Sequence, residues 1–455
     1  MGFSLSRRPG VNFIMLCLLL AALWFAGGAS RGNVSAQIIV RAAAFGALIA
    51  MIVFGQRPGL ASARAVWIFM GAALAIAVIQ LLPLPEDLWR SLPARDIVAE
   101  VPVAGATRTW SQMPGGTLNA LIGLVVPLVV LALTSALAKN ESEWLPTVCL
   151  GLAAASMVLG VMQFSGAGFD NPLLNDTPGS VSGMFANRNH YALLLALGCL
   201  LVPVWIFREH RPMRWRGGAG LSLMLLFALT ILASGSRVGM VVGALAVGIA
   251  GILSWPELRR ELRQAPRWVF PAIVVAVPAL LISAILASVA ADRAVSIQRV
   301  LSLDAGQDLR GRVLPIIWDM TRANFPAGTG LGTFDQMFRA SEPLDLLKPT
   351  YLNQAHNDFL EVVLDAGLPG LLLLSAALVW WGWATGRAWR APMNRETMLP
   401  RVGSAMLLLV MIASVFDYPA RTPLIMAMVV IAAVWLSAHP DKDRSSALPG
   451  SRQLL

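Results

Sequence analysis

Twelve stretches of almost uninterrupted apolar residues constrain this chain more than any motif in it. They run over 11–28, 38–54, 65–82, 118–137, 145–163, 191–207, 221–233, 238–253, 269–291, 361–383, 403–416 and 424–436. About 20 apolar residues in a helix cross the ~30 Å hydrocarbon layer of a bilayer. Inside lipid, backbone polar groups are satisfied only within helices or closed barrels. The runs are continuous rather than alternating, which excludes an outer-membrane barrel. With 57% hydrophobic and 13% charged residues, the chain has far less charge than the ~25% of a soluble domain. It is also too apolar for a disordered chain. The expected fold is all-α and integral to the membrane, with about 12 transmembrane helices. Nine spans with short loops occupy 1–291, a long and partly helical loop occupies 292–360, three spans follow over 361–438, and 439–455 is a polar tail.

The net charge of +10 is placed for a membrane, not for nucleic acid. With a cytoplasmic N-terminus, the inner segments hold 20 Lys and Arg against 8 acidic residues, and the outer segments 14 against 17 when Glu361 and Asp365, at the outer end of the 361–383 run, are counted with them. Arg41 stands apart at the outer end of the second run. Basic residues concentrate on the cytoplasmic side of membrane proteins, so both termini are expected inside. Three long stretches, 83–117, 164–190 and 292–360, then lie outside. Arg7-Arg8 followed by an apolar run and Ala-Gly-Gly-Ala-Ser also fits a cleavable leader. Cys17, Cys149 and Cys199 lie within apolar runs and read as small buried hydrophobes.

Few residues on the outer side can do chemistry. Of four histidines only His190 and His356 lie there, and His356 stands where the long loop returns to the membrane. A neutral imidazole is the usual general base near pH 7; the plainer alternative is a histidine bonded to a loop carbonyl. Arg237, in Ser234-Gly-Ser-Arg237 between two spans, opposes the inward bias of positive charge. Such a residue is a functional candidate by default, against a snorkelling helix end. Arg310 and Arg312 open a helical pattern over 308–325 with Leu309, Val313, Ile316, Ile317 and Met320 on one face. Guanidinium forks match phosphate oxygens. The glycine-rich Pro326–Phe334 segment lacks the strand and helix of a dinucleotide loop and reads as a flexible turn. No Asp-x-Asp lies outside, so no metal site is expected. Asp319, Asp335, Asp358, Glu361 and Asp365 read as solvated or arginine-paired carboxylates.

His356-Asn357, nine residues, then Gly367-Leu-Pro-Gly370 resembles the signature of bacterial O-antigen ligases and the related O-antigen and exopolysaccharide polymerases. Ser236-Arg237, Gly311-Arg312 with Trp318, Pro326–Phe334, Gly183–Ala192 and Asp417-Tyr-Pro-Ala-Arg421-Thr-Pro423 are similar to other blocks of that superfamily, in order from about residue 180 to 423. The resemblance implies a C-type, metal-independent inverting glycosyltransferase of the bacterial inner membrane, without a cofactor. Its donor would be a glycan on undecaprenyl diphosphate. Its acceptor would be a glycan or a lipid A-core. Arg237 and Arg312 would take the diphosphate and His356 the acceptor hydroxyl. Arg310, Asn357, Asn187, Arg188, Asn189 and Arg421 are the expected substrate-binding residues. Arg188 and Arg421 pair with Asp176 or Asp417 on the plainer reading.

The His-Asn spacing leans toward a ligase. The Asn187–His190 and Asp417–Pro423 blocks, and Gln354-Ala355 where some ligases carry another basic residue, lean toward a repeat-unit polymerase. A lipid-linked glycan transporter is the alternative of another class, although transporters place polar groups near the midplane and here they gather at one face. The topology has a direct check. Single cysteines at Ser341 and Gly218 should react with an impermeant thiol reagent from opposite sides of the membrane; reaction from the same side contradicts the arrangement.

Overall fold

The computed structural model describes residues 9–32, 34–95, 108–167, 169, 171–174, 180–207, 214–264, 309–347 and 352–438. Among these the regular elements are helical, apart from an isolated bridge between Pro83 and Thr109. The main helices are α1 (Val11–Ala26), α2 (Ala36–Phe54), α3 (Arg64–Leu81), α4 (Pro114–Gly123), α5 (Val125–Ser135), α6 (Leu145–Phe164) and α7 (Arg188–Ile206). They continue with α8 (Arg214–Ala233), α9 (Arg237–Gln264), α10 (Leu309–Asn324), α11 (Phe334–Ser341), α12 (Asp358–Arg390), α13 (Arg395–Phe416) and α14 (Pro423–Ser437).

Eight helical stretches are long and apolar enough to cross a membrane, with α4 and α5 counted as one; three shorter apolar helices are α1, α3 and α14. These coincide with eleven of the twelve apolar runs. The run at 269–291, the 292–308 part of the long loop and the tail from His439 lie outside the described residues. The chain is a polytopic helical membrane protein.

Burial sorts the helices. In α7, 78% of the apolar window is buried, against 28% in α2, 22% in α8 and 28% in α12. A helix apolar all round belongs in a core, and α7 is enclosed by α6, α8, α9 and α13. The half-exposed helices present Ile52, Val241, Ile252 and Val379 outward, as lipid-facing surfaces do. A second, smaller core joins the long loop to the bundle. Val313, Ile317 and Met320 of α10 pack with Phe334, Phe338, Ala355 and Leu364, which is the apolar face the 308–325 pattern anticipates.

Described parts of the stretches at 83–117, 164–190 and 292–360 meet at one end of the bundle. Ala186 N–H donates to Gly28 O at 3.1 Å and Leu424 N–H to Gly27 O at 3.1 Å. Trp110 Nε1 donates to Ala327 O at 2.9 Å, and Gln112 Nε2 to Asn324 Oδ1 at 2.7 Å.

The Gly367–Gly370 element has a backbone explanation. α12 bends at Gly367, with φ 56° and ψ −138°. Pro369 has no N–H for the Asp365 carbonyl, and Leu368 N–H turns to Pro326 O at 2.8 Å. Two carbonyls inside an apolar helix thereby lose their partners, which is costly away from water. The glycine-rich segment supplies replacements. Thr329 N–H donates to Leu364 O at 2.9 Å and Gly330 N–H to Asp365 O at 2.8 Å. Gln80 donates from Nε2 to Asp365 O at 3.0 Å and accepts from Leu331 N–H at 2.9 Å. The expected flexible turn is therefore a fastened segment, and its amides at 329–332 are already bonded within the protein. The reading against direct phosphate contact by this loop fits that geometry.

A Cβ at Gly367 would lie 2.1 Å from Pro326 O on a left-handed backbone that costs other residues about 1–3 kcal/mol. Gly367→Ala should lower the melting temperature in detergent and the yield of folded protein. Gly382→Ala, with nothing within 4 Å of an added Cβ, should do neither. Equal melting temperatures for the two variants would contradict this account of the bend.

Candidate active site

His356 is presented by the way the chain enters α12. Asn357 is the N-cap of that helix, and its Oδ1 accepts from Leu360 N–H at 3.0 Å. Asparagine is a strong N-cap because it satisfies an otherwise orphan amide. One residue before His356, Ala355 N–H donates to Glu361 Oε2 at 2.7 Å. Pinned on both sides, His356 adopts φ 53°, a conformation uncommon outside glycine and found at constrained functional positions. Its Nδ1 lies 3.2 Å from Asp417 Oδ1, with the imidazole 19% exposed and the carboxylate 1%.

Asp417 ends α13 in extended conformation and gathers partners from three parts of the chain. Oδ1 also accepts from Tyr418 N–H at 3.0 Å, and His190 Nε2 is 3.7 Å away. Oδ2 accepts from Asn187 Nδ2 at 3.1 Å and Asn189 Nδ2 at 2.5 Å. Burial pushes this carboxyl up, but the hydrogen bonds and charges of His190 and His356 outweigh that and hold it well below the usual carboxylate range. It is an ionised buried carboxylate with both oxygens satisfied.

The asparagines have local reasons to be where they are. Asn187 caps α7, accepting from Asn189 N–H at 2.8 Å. Asn189 Oδ1 accepts from Ser236 Oγ at 2.7 Å, and Ser236 Oγ in turn accepts from Gly239 N–H at 2.8 Å in the first turn of α9. Three hydrogen bonds thus link His356 to the residue beside Arg237. His190, 2% exposed, bonds Thr422 Oγ1 through Nδ1 at 2.8 Å. The Tyr418 ring lies edge-on to both imidazoles, 5.1 Å from His190 and 4.8 Å from His356.

The structure thereby brings His356, Asn187 and Asn189 onto one carboxylate. Arg237 opens α9 and is exposed. Arg312 is exposed on α10, beside Val313 in the small core that includes Ala355. Arg310 lies in the same first turn, with Trp318 exposed farther along. Arg188 is the first residue of α7. Arg421 takes a different partner from the expected Asp176 or Asp417. Asp358, Glu361 and Asp365 share one face of α12, at spacings of three and four. They lie 3.6, 3.4 and 3.4 Å from its Nε, Nη2 and Nη1. Burial lowers its pKa, but these carboxylates outweigh burial and hold it above its ordinary value. Asp335 pairs with Arg339 at 2.7 Å. Among the described residues, no three His, Cys, Asp or Glu side chains are grouped as a metal site requires.

Asp417 is the residue that sequence reasoning passed over. It stood within a noted block, but as a partner for arginine rather than for histidine. Arg31 and Arg41 were passed over as well. With Arg339 and Arg421 they line a cavity of about 540 Å³. A second cavity of about 60 Å³ is walled by Arg31, Asn187, His190 and Tyr418.

A family model described as O-Antigen ligase matches residues 221–375, about a third of the chain. No curated protein matches the sequence. The matched stretch contains Arg237, Arg312, His356 and the Gly367 bend, whereas Asn187, Asn189, His190 and Asp417 fall outside it.

Proposed function

We propose, for a chain that carries an O-antigen ligase domain within a helical membrane bundle, that the cluster at the bundle end transfers a glycan from undecaprenyl diphosphate to an acceptor hydroxyl. The observation that carries this reading is the Asp417–His356 pair, 3.2 Å apart. A buried carboxylate that accepts the Nδ1 proton orients the ring, fixes the tautomer and stabilises the imidazolium. Nε2 then carries the lone pair. His356 Nε2 removes the acceptor proton, the acceptor oxygen bonds to the anomeric carbon, and the bond from that carbon to the diphosphate breaks with inversion. Arg237 and Arg312 neutralise the charge developing on the departing lipid diphosphate and make a metal unnecessary. Asn187, Asn189 and Asn357 are positioning residues: two hold Asp417 and one starts the helix behind His356. Arg421 holds the acidic face of α12. We place the reaction at the periplasmic face of the bacterial inner membrane, with both termini in the cytoplasm.

Ligation onto a lipid A-core acceptor is the reading nearest to the family description. Repeat-unit polymerisation is the second. It is favoured by the Asn187–His190 and Asp417–Pro423 blocks, which the fold joins at one carboxylate. Deletion in the native host separates them: accumulation of undecaprenyl-linked long chains supports ligation, and accumulation of single lipid-linked repeats supports polymerisation.

The test is reconstituted transfer from a lipid-diphosphate donor. His356→Ala should reduce turnover by about 10²–10⁴-fold, the usual worth of general base catalysis, with the protein still folded. Arg237→Lys and Arg312→Lys should each lose most activity, since lysine keeps the charge but not the fork. Turnover should survive chelators. Near-full activity of His356→Ala contradicts the base assignment, and activity that requires magnesium or manganese contradicts the arginine role. A purified protein that moves lipid-linked glycan across the bilayer without transfer would establish the transporter instead.

A further inference from the structure

We infer that the cavity lined by Arg31, Arg41 and Arg339 holds a phosphate-bearing group of the acceptor. This inference rests on the glycosyl-transfer reading above and names the second substrate's recognition. Four arginines and a single carboxylate, Asp335, line the cavity. Arg339 and Arg421 have carboxylates among the described residues. Arg339 holds Asp335 through Nε and Nη2 at 2.7 and 3.1 Å, and Arg421 serves the α12 acids. Arg41 is different. Its Nη2 donates to the neutral side-chain oxygen of Asn119 at 2.6 Å, and its Nε is buried without a hydrogen-bond partner among the described residues. An amide oxygen does not neutralise a guanidinium, and a partly desolvated cation gains from an anion beside it. An arginine at the outer end of α2 also runs against the positive-inside bias. The volume of about 540 Å³ is that of a small-molecule site.

The place of the cavity says which substrate it serves. Its walls come from the 30–32 segment, α2, α4 and the start of α5, the 331–339 and 353–354 segments, and Arg421 with the start of α14. None comes from α7 or α9, which carry Asn189 and Arg237. The smaller cavity shares Ser30, Arg31 and Asn353 with it and reaches Asn187, His190 and Tyr418. Asn353 joins the two, donating to Ser30 Oγ at 3.3 Å and accepting from the Tyr418 hydroxyl at 3.5 Å. The Tyr418 ring in turn lies against His356. In an inverting displacement the attacking hydroxyl and the leaving diphosphate stand on opposite sides of the anomeric carbon. With the leaving group assigned to Arg237 and Arg312, an anion held in a cavity to which neither α9 nor α10 contributes a lining residue is assigned to the acceptor. Its phosphate has two sources: a phosphorylated core sugar, or the diphosphate of a second lipid-linked repeat.

The experiment measures binding to full-length protein in lipid nanodiscs on a His356→Ala background, which blocks turnover. Three probes are used: a phosphorylated lipid A-core, the same core with its phosphates removed, and an undecaprenyl-diphosphate-linked repeat. Arg41→Gln should weaken one phosphate-bearing probe about tenfold, the scale of one charge-assisted contact. It should leave the dephosphorylated core unchanged, and Arg41→Lys should recover part of the loss. Loss confined to the core identifies its phosphates as the ligand. Loss of the second of two binding events for the lipid-linked repeat identifies a diphosphate acceptor. Arg339→Gln, at an exposed position, should weaken the same probe if Arg41→Gln fails to fold. Phosphate-bearing affinities unchanged within about twofold, or equal loss with and without phosphate, overturn the inference. Transfer that persists in His356→Ala overturns the catalytic reading instead, and the two failures are distinct.

Discussion

The buried carboxylate of Asp417 is the interaction on which the loop-bearing end of this bundle depends. A desolvated ionised carboxylate is tolerable only when its oxygens are fully bonded, and no nearby stretch of sequence satisfies this one. Its partners come from the cap of α7, from the residue that follows it and from the turn before α12. The same carboxylate therefore fastens three distant segments and orients the one imidazole among them that is partly exposed. On the proposed mechanism, folding and chemistry use a single anion. His190, buried on the same carboxylate and on Thr422, belongs to the fastening, and the proposal gives His356 the chemistry.

A second constraint stands behind His356. The bend in α12 removes two backbone hydrogen bonds from a helix that has no water to replace them. The glycine-rich segment and Gln80 restore the pairing and lock the long loop to the membrane helix. Asp365, beside the bend, accepts from Gly332 N–H at 3.1 Å and reaches Arg421, which ties the bend to the start of α14. The Gly-x-x-Gly element thus acts through architecture, holding the first turns of α12 and the loop before them in register.

The fold was legible because a bilayer sets a length threshold for each apolar run; the eleven described runs are all mainly helical, interrupted at Leu124 and at the Gly367 bend. His356 was legible from its position at a membrane boundary and its spacing to Gly367. The roles of its neighbours were less so. Asn357, Asn187 and Ser236 read as polar residues near a site, yet each is first a helix cap, a local function that long-range contacts then reuse. Asp417 was opaque for a physical reason: its pairing with His356 spans 61 residues, and an isolated acid after an apolar run looks like a surface charge. Arg421 showed the reverse, since its ligands on α12 follow helical periodicity but their arginine lies a full hairpin away. Arg41 looked like a residue left over at a helix end, and only the cavity around it shows a cation without a matching carboxylate among the described residues.

The central claim is that Asp417 works through His356, and a double-mutant cycle on transfer rate tests it most directly. In Asp417→Asn, the amide replaces one oxygen; facing His356, it would donate to Nδ1 and leave the proton on Nε2, the tautomer that cannot act as a base. Transfer by Asp417→Asn should fall by orders of magnitude in protein that melts as a folded species. The double variant with His356→Ala should be no slower than His356→Ala alone. Additive losses, in which the double variant falls by the product of the two single effects, would contradict the account and make Asp417 a purely structural anion.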